Sequence, residues 1–247
     1  MRNRYLVYYL ALLIAVVFAA SCYWFWRMTI GRDYEVTERV LPRLHLYDDP
    51  AAGLARVKIR AYYVVPQNRK DQIEPGWFEQ IEQALKESVI FFQAQFRDYS
   101  EISYEIYPNP VILAENNAVY DTEKTDHGNP HALQRIESEL LSRGILEENG
   151  DEIFRGSAFI YEGVGASGKV GSMILSRTFL ARAEYDKIKS SLFAHELGHV
   201  FGLPDRYDLS TDISFSDGLM GGGRKEPIER VHLEGDLLAG MGLISEK

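Results

Sequence analysis

The sequence predicts an α+β domain in which a mixed, twisted sheet is flanked by long helices. Three observations predict it. Arg56 to Pro66 alternates and then becomes continuously apolar, as a largely buried strand does. Trp77, Ile81, Leu85, Val89, Phe92 and Phe96 recur at three- and four-residue spacing, the core-facing stripe of a helix of about six turns. Short apolar runs then alternate with a second helical stretch, the order of a sheet covered by helices. The 247 residues, 46% hydrophobic and 26% charged, suit one globular domain and exclude a disordered chain.

The first element is not part of that sheet. Tyr5 to Trp26 contains no charged residue, and at about 1.5 Å per residue a helix of this length crosses a hydrocarbon core of roughly 30 Å. Tyr5, Tyr8 and Tyr9 mark one end and Tyr23, Trp24 and Trp26 the other, as interfacial aromatics do. Arg2 and Arg4 precede it, so the positive-inside rule places the N-terminus in the cytoplasm and the remaining chain outside. Residues 1–27 therefore read as a signal-anchor. Cleavage after Ala19-Ala20-Ser21, or lipoprotein processing at Cys22, are the alternatives, and both also place the domain beyond the membrane. Residues 28–55, with Pro42, Pro50 and Gly53 and no sustained period, read as a tether ahead of a domain over 56–247.

Within that domain Pro75 suits the first turn of the long helix. Ile102 to Leu113 reads as a strand broken by Pro108 and Pro110. A second helix follows Pro130, with Leu133, Ile136, Leu140 and Leu141 on one face and an end near Gly144. Ser157 to Tyr161 is a short strand, and Ser172 to Leu180 is expected at a sheet edge, where an extended chain could pair. Gly163, Gly165 and Gly168 match G-x-G-x-x-G, and Lys169 nearly completes a phosphate loop. Both motifs need a following helix N-terminus, and Val170 to Ser176 reads instead as strand, so the stretch is a flexible hairpin or loop and no nucleotide is expected. The net charge of −9 argues against nucleic acid as a partner.

The single cysteine excludes thiolate metal sites and intramolecular disulfides, so any metal must take oxygen and nitrogen ligands. Ser191 to Asp208, SLFAHELGHVFGLPDRYD, supplies them. His195 and His199 lie four apart and share one helix face, where both imidazoles reach one metal. Glu196 follows His195 directly, which puts its carboxylate beside the metal as a general base for water. Ser190 or Ser191 can cap this helix, Gly202 can close it in the left-handed conformation, and Pro204 prevents its continuation.

HELGHVFGLPD resembles the extended zinc motif of metzincin-type peptidases, H-E-x-x-H-x-x-G-x-x-H, with Asp205 in the last position as in snapalysin-like enzymes. Leu-Pro-Asp-x-Tyr-Asp is similar to the immune inhibitor A group of secreted peptidases, and Ser216 to Gly222 resembles the Met-turn. The likeness is sharp over about 35 residues, from Ser190 to Gly223. It implies a zincin fold, with an upper subdomain over 56–202 and a small irregular lower one over 203–247. It also implies a membrane-anchored zinc endopeptidase acting on peptides or proteins, with zinc on His195, His199 and Asp205 and with Met220 as a hydrophobic floor. Glu226, Glu229, Glu234 and His232 remain alternative third ligands. Tyr207 is a candidate oxyanion donor or a packing residue. Asp205, Asp208, Asp212 and Asp217 crowd one segment, either a calcium site or a solvated acidic loop. His45, His127 and His131 read as surface residues, and Asp48 or Asp49 could cap a latent site. The class-distinct alternative is a catalytically silent or latent binding module at the membrane surface.

Overall fold

The computed structural model describes residues 43–124, 128–146 and 153–243. The apolar segment Tyr5 to Trp26 and His127 lie outside these residues.

The described chain opens with a hairpin, β1 (His45–Leu46) and β2 (Asp49–Gly53), paired antiparallel. Leu44, Leu46 and Leu54 are buried in the main core. His45, Tyr47 and Asp48 donate their backbone N–H groups to Met241, Phe201 and Gly240. The expected tether over 28–55 is thus corrected from Arg43 onward. Its three leucines supply apolar surface that the core needs, and its backbone bonds to the far end of the domain.

β3 (Arg56–Val65) is the longest strand and an interior one, followed by α1 (Trp77–Gln95). Gly76, at φ 79°, precedes the helix, so Pro75 stands outside the first turn rather than in it. β4 (Glu101–Ile106) and β5 (Val111–Ile112) both pair parallel to β3, separated by Pro108 and Pro110, which cannot donate to a ladder. The short α2 (Asn117–Tyr120) leads to α3 (Pro130–Ser142), where Pro130 takes the first turn and the Asn129 side chain accepts from the Ala132 N–H. On α3 Leu133, Ile136 and Leu140 are buried, whereas Leu141 is 53% exposed and leaves the predicted stripe.

β6 (Phe154–Tyr161), β7 (Ala166–Lys169) and β8 (Ser172–Ser176) complete a sheet of order β4-β3-β6-β8-β7. Four of these strands are parallel, and β7 alone runs antiparallel, as the outer arm of a hairpin with β8. Of the glycine-rich stretch, Gly168 and Lys169 lie in this hairpin, and Gly163 and Gly165 lie in the loop that leads into it. β8 is an interior strand, however, which corrects the expectation of an edge over Ser172 to Leu180; its chain ends at Ser176 and continues as α4 (Thr178–Ala181). All five side chains of β8 are buried.

The sheet is covered on both faces, which is why β3 reads as a continuous apolar run. Ile59, Ala61, Tyr63 and Val65 face α1 and α5 (Lys189–Val200), while Tyr62, Val64, Phe159, Tyr161 and Ile174 face α3. α6 (Gly235–Gly240) closes the described chain against the β1–β2 hairpin. Ser190 and Ser191 lie inside α5 rather than capping it. Their hydroxyls go to the Glu87 carboxylate and, at 2.6 Å, to the Glu226 carbonyl, so they tie α5 to its neighbours.

Candidate metal centre

α5 is held rigidly before it presents any chemistry. Phe193, Ala194, Leu197 and Val200 are buried in the core. Phe201, at the helix end, packs edge-on against Phe92 of α1, with centroids 4.9 Å apart, and against Phe96 at 5.4 Å. Each such aromatic pair contributes about 0.5–1.5 kcal/mol beyond its area burial. The helix closes in a Schellman arrangement: Gly202 takes φ 85°, its N–H bonds the His199 carbonyl at 2.9 Å, and Leu203 N–H bonds the Gly198 carbonyl at 3.1 Å. This left-handed reversal carries Asp205 back over the helix face it has just left.

His195 Nε2 and His199 Nε2 lie 3.3 and 3.2 Å from one oxygen, Asp205 Oδ1. Among the described residues these three form the one group of three or more His, Cys, Asp or Glu side chains gathered closely enough to hold a metal ion. Glu226, Glu229, Glu234 and His232 do not join it. Glu234 takes the Ser216 hydroxyl, His232 faces Asp217 at 3.8 Å, and Glu226 lies 4.0 Å from Arg230. The acidic segment does not converge either. Asp208 accepts from Ser210 and Thr211, Asp212 pairs with Arg224 and Lys225, and Asp217 is 94% exposed, so the solvated-loop reading replaces calcium. Asp48 and Asp49 stay on the β1–β2 hairpin, outside the group. His131 faces Glu123 at the surface, and His45 is half-buried, with Nδ1 on the Leu46 carbonyl.

The tautomers follow from the other ring nitrogens. His195 Nδ1 meets the Leu219 carbonyl at 3.1 Å and His199 Nδ1 meets the Leu203 carbonyl at 2.8 Å. A carbonyl only accepts, so each Nδ1 carries a proton, which leaves Nε2 as the ring atom free to turn an electron pair toward a metal beside Asp205. Three potential ligand atoms thus converge, and Asp205 Oδ1 is buried without a hydrogen-bond partner. A tetrahedral ion with ligands at about 2.0–2.2 Å requires ligand atoms about 3.3–3.6 Å apart. The observed 3.2 and 3.3 Å separations fit that requirement, as does the donor set of two imidazoles and a carboxylate.

Burial alone would raise the Asp205 pKa, but the two histidines outweigh it and hold the carboxyl well below the usual carboxylate range. Burial works against charging His199, yet Asp205 and Glu196 prevail and its pKa is raised. Glu196 is buried with Oε2 unpartnered, and desolvation raises its pKa against the opposing pull of His195 and His199. Tyr207 stacks obliquely on His195, with ring centroids 5.9 Å apart. Burial first, then the Asp205 and Glu196 charges, push its phenol pKa up, so it stays a proton donor.

Met220 is fully buried beneath α5, and a Cβ added to Gly198 would stand 2.6 Å from its sulfur. Sequence reasoning missed Arg224. Its guanidinium lies 3.6 Å above the Tyr207 ring and bonds the Gly221 carbonyl, Ser214 and Asp212, clamping the Tyr207–Ser214 pairing to the Met220 turn. Only the three preceding glycines hinted that something packs closely there. It also missed Gly168 of β7, where an added Cβ would lie 2.5 Å from His199 Cβ and 2.9 Å from the Glu196 carbonyl.

No family model matches this chain. Nor does any curated protein. Among solved structures it is similar to metalloproteinase-II from Bacteroides fragilis, with a TM-score of 0.40 and 15% identity. The match covers 76% of this chain and 52% of that one, so the chain spans about half the length of that structure.

Proposed function

We propose that the chain is a zinc-dependent peptidase of the metzincin type, carried on the outer side of a membrane by its N-terminal apolar segment. The observation that carries this reading is the convergence of His195 Nε2, His199 Nε2 and Asp205 Oδ1 on one point, beside an unpartnered glutamate. With Nε2 deprotonated, the two imidazoles and the carboxylate present lone pairs to one point, an arrangement that a bound cation satisfies. When bound by these three residues, zinc would act as a Lewis acid and bring the pKa of water down to about 7.

Each remaining role falls to a residue placed for it. Glu196 takes the proton of the attacking water and passes it to the departing amine; its raised pKa suits a carboxyl that must hold a proton between those events. Leu219 and Leu203 fix the imidazole tautomers through their carbonyls. Tyr207, protonated and steadied by Arg224, donates to the oxygen that becomes negative as the peptide carbonyl is attacked. Met220 fills the space beneath α5 and keeps the imidazoles from sinking. β7, at the sheet edge beside His199, offers an extended substrate its backbone groups.

The test is to incubate the zinc-loaded protein with a diverse peptide mixture beside its Glu196→Gln variant and to map the products by mass spectrometry. The reading predicts cleavage by the first and a loss of about 10²–10⁴-fold in the second at equal zinc content. No cleavage with zinc bound, or equal cleavage by both proteins, overturns it.

A further inference from the structure

An edge strand turns alternate backbone groups outward. On β7 the Gly165 carbonyl accepts from Ser176 N–H at 2.8 Å, so Gly165, Ser167 and Lys169 face β8 while Ala166 and Gly168 face away from it. Gly168 is half-exposed, lies against His199, and has no hydrogen bond on its outward side among the described residues. Ala166 differs. Its outward carbonyl accepts the Asn129 N–H at 3.3 Å, and Gly128 presses so close that an added Cβ would be 2.4 Å from that oxygen.

This contact is built rather than incidental. Asn129 is fully buried, and its Nδ2 donates to Asp121 Oδ1 at 2.9 Å and to the Val164 carbonyl at 3.0 Å. Its Oδ1 accepts the Ala132 N–H at 3.1 Å as the N-cap of α3. Gly128 takes φ 135°, which side-chain-bearing residues rarely adopt.

We infer that Gly128 and Asn129 close one end of the strand-pairing track on β7 and so set how far a substrate can extend past the site. This rests on the peptidase reading and deepens it. A chain adding antiparallel to β7, the more stable ladder, runs from Val170 toward Ala166 as it proceeds from its N- to its C-terminal side. It pairs at Gly168 and then meets Gly128 and Asn129 about two residues later, at roughly 3.4 Å per residue. The substrates are therefore polypeptides cut near their C-terminal ends, recognised mainly through residues on the N-terminal side of the scissile bond.

The experiment takes one peptide with a mapped cleavage site and extends it residue by residue on either side. Extension past about two residues on the C-terminal side should lower kcat/KM about tenfold or more, whereas N-terminal extension should raise it. Binding of the same peptides to the zinc-loaded Glu196→Gln protein, read by fluorescence anisotropy, should show the same asymmetry without turnover. Gly128→Ala, whose methyl group cannot coexist with the Ala166 carbonyl, should displace the cap and admit the longer C-terminal extensions. Cleavage with equal tolerance on both sides overturns this inference alone; no cleavage of any peptide with zinc bound overturns the peptidase reading and this inference with it. A folded Gly128→Ala protein that still discriminates against C-terminal extension also overturns it.

Discussion

Gly168→Ala places a methyl group between β7 and α5 at the point where the sheet edge touches the histidine helix. The new carbon would lie 2.5 Å from His199 Cβ, 2.9 Å from the Glu196 carbonyl oxygen and 3.0 Å from His199 Cδ2. Ordinary carbon contacts are about 3.5–4.0 Å, so β7 and α5 must part by about 1 Å. None of the three atoms is the end of a flexible side chain. Elsewhere in a strand the same change would gain about 0.5–1 kcal/mol by restricting the unfolded chain. Here overpacking of about 1–3 kcal/mol prevails. At about 2–4 °C per kcal/mol for a domain of this size, Tm should fall by roughly 2–12 °C. A shift of about 1 Å at His199 should also cost about 10²-fold in kcat/KM. Gly171→Asn is the control on the same hairpin: φ is 85°, nothing lies within 4 Å of an added Cβ, and asparagine tolerates that conformation. Differential scanning calorimetry with peptide hydrolysis reads both effects. A Gly168→Ala protein with unchanged Tm and unchanged activity would refute the reasoning.

Other expectations follow from the same geometry. Tyr207→Phe leaves the ring beneath Arg224 but removes the donor, so steady-state kinetics should show kcat lower by about 10²–10³-fold with KM nearly unchanged; an unchanged kcat would assign the ring to packing. Leu54→Ala should cost about 2–5 kcal/mol in denaturant unfolding, because Leu54 is fully buried although it lies in the stretch that reads as a tether. In metal-free protein the raised His199 pKa contributes stability that is full below its unfolded value, about 6.5, and is lost as pH rises through the folded value. The lowered Asp205 pKa contributes above about 3.9 and is lost as pH falls through its folded value. Asp205→Asn with chelator present should therefore lower Tm most between about pH 4 and 6.5, and progressively less as pH rises through the raised His199 value. A Tm difference that grows toward alkaline pH would contradict the assignment.

The grouping of His195, His199 and Asp205 was legible in the sequence because its geometry is local. The four-residue spacing of His195 and His199, Gly202 at the helix end and Asp205 three residues later determine the convergence within a single helix and its reversal. The stripe on α1 and the run in β3 were legible for the same reason, since periodicity reports which faces are buried. Lateral order was not legible. The pairing of β8 with β6 joins segments distant in sequence, and the continuous apolar run Met173 to Leu175 reports burial on both faces without naming the neighbours. Leu44, Leu46 and Leu54 were hidden by the prolines and glycine around them, and the groups that dock this stretch, the Phe201, Gly240 and Met241 carbonyls that take the Tyr47, Asp48 and His45 N–H groups, lie well over a hundred residues away. The glycines at 163, 165 and 168 resembled a nucleotide motif. The structure gives each another cause: the Tyr161 ring beside Gly163, a φ of 99° at Gly165, and α5 against Gly168.

A zinc titration of the purified protein against a competing chromophoric chelator tests the central claim most directly. One tight site per chain is predicted in wild type and in Glu196→Gln alike. Asp205→Ala should weaken it by more than the roughly 100-fold expected for a residue that merely supports a ligand. A wild-type protein without a saturable site, or an Asp205→Ala protein that binds zinc as wild type does, would contradict the account.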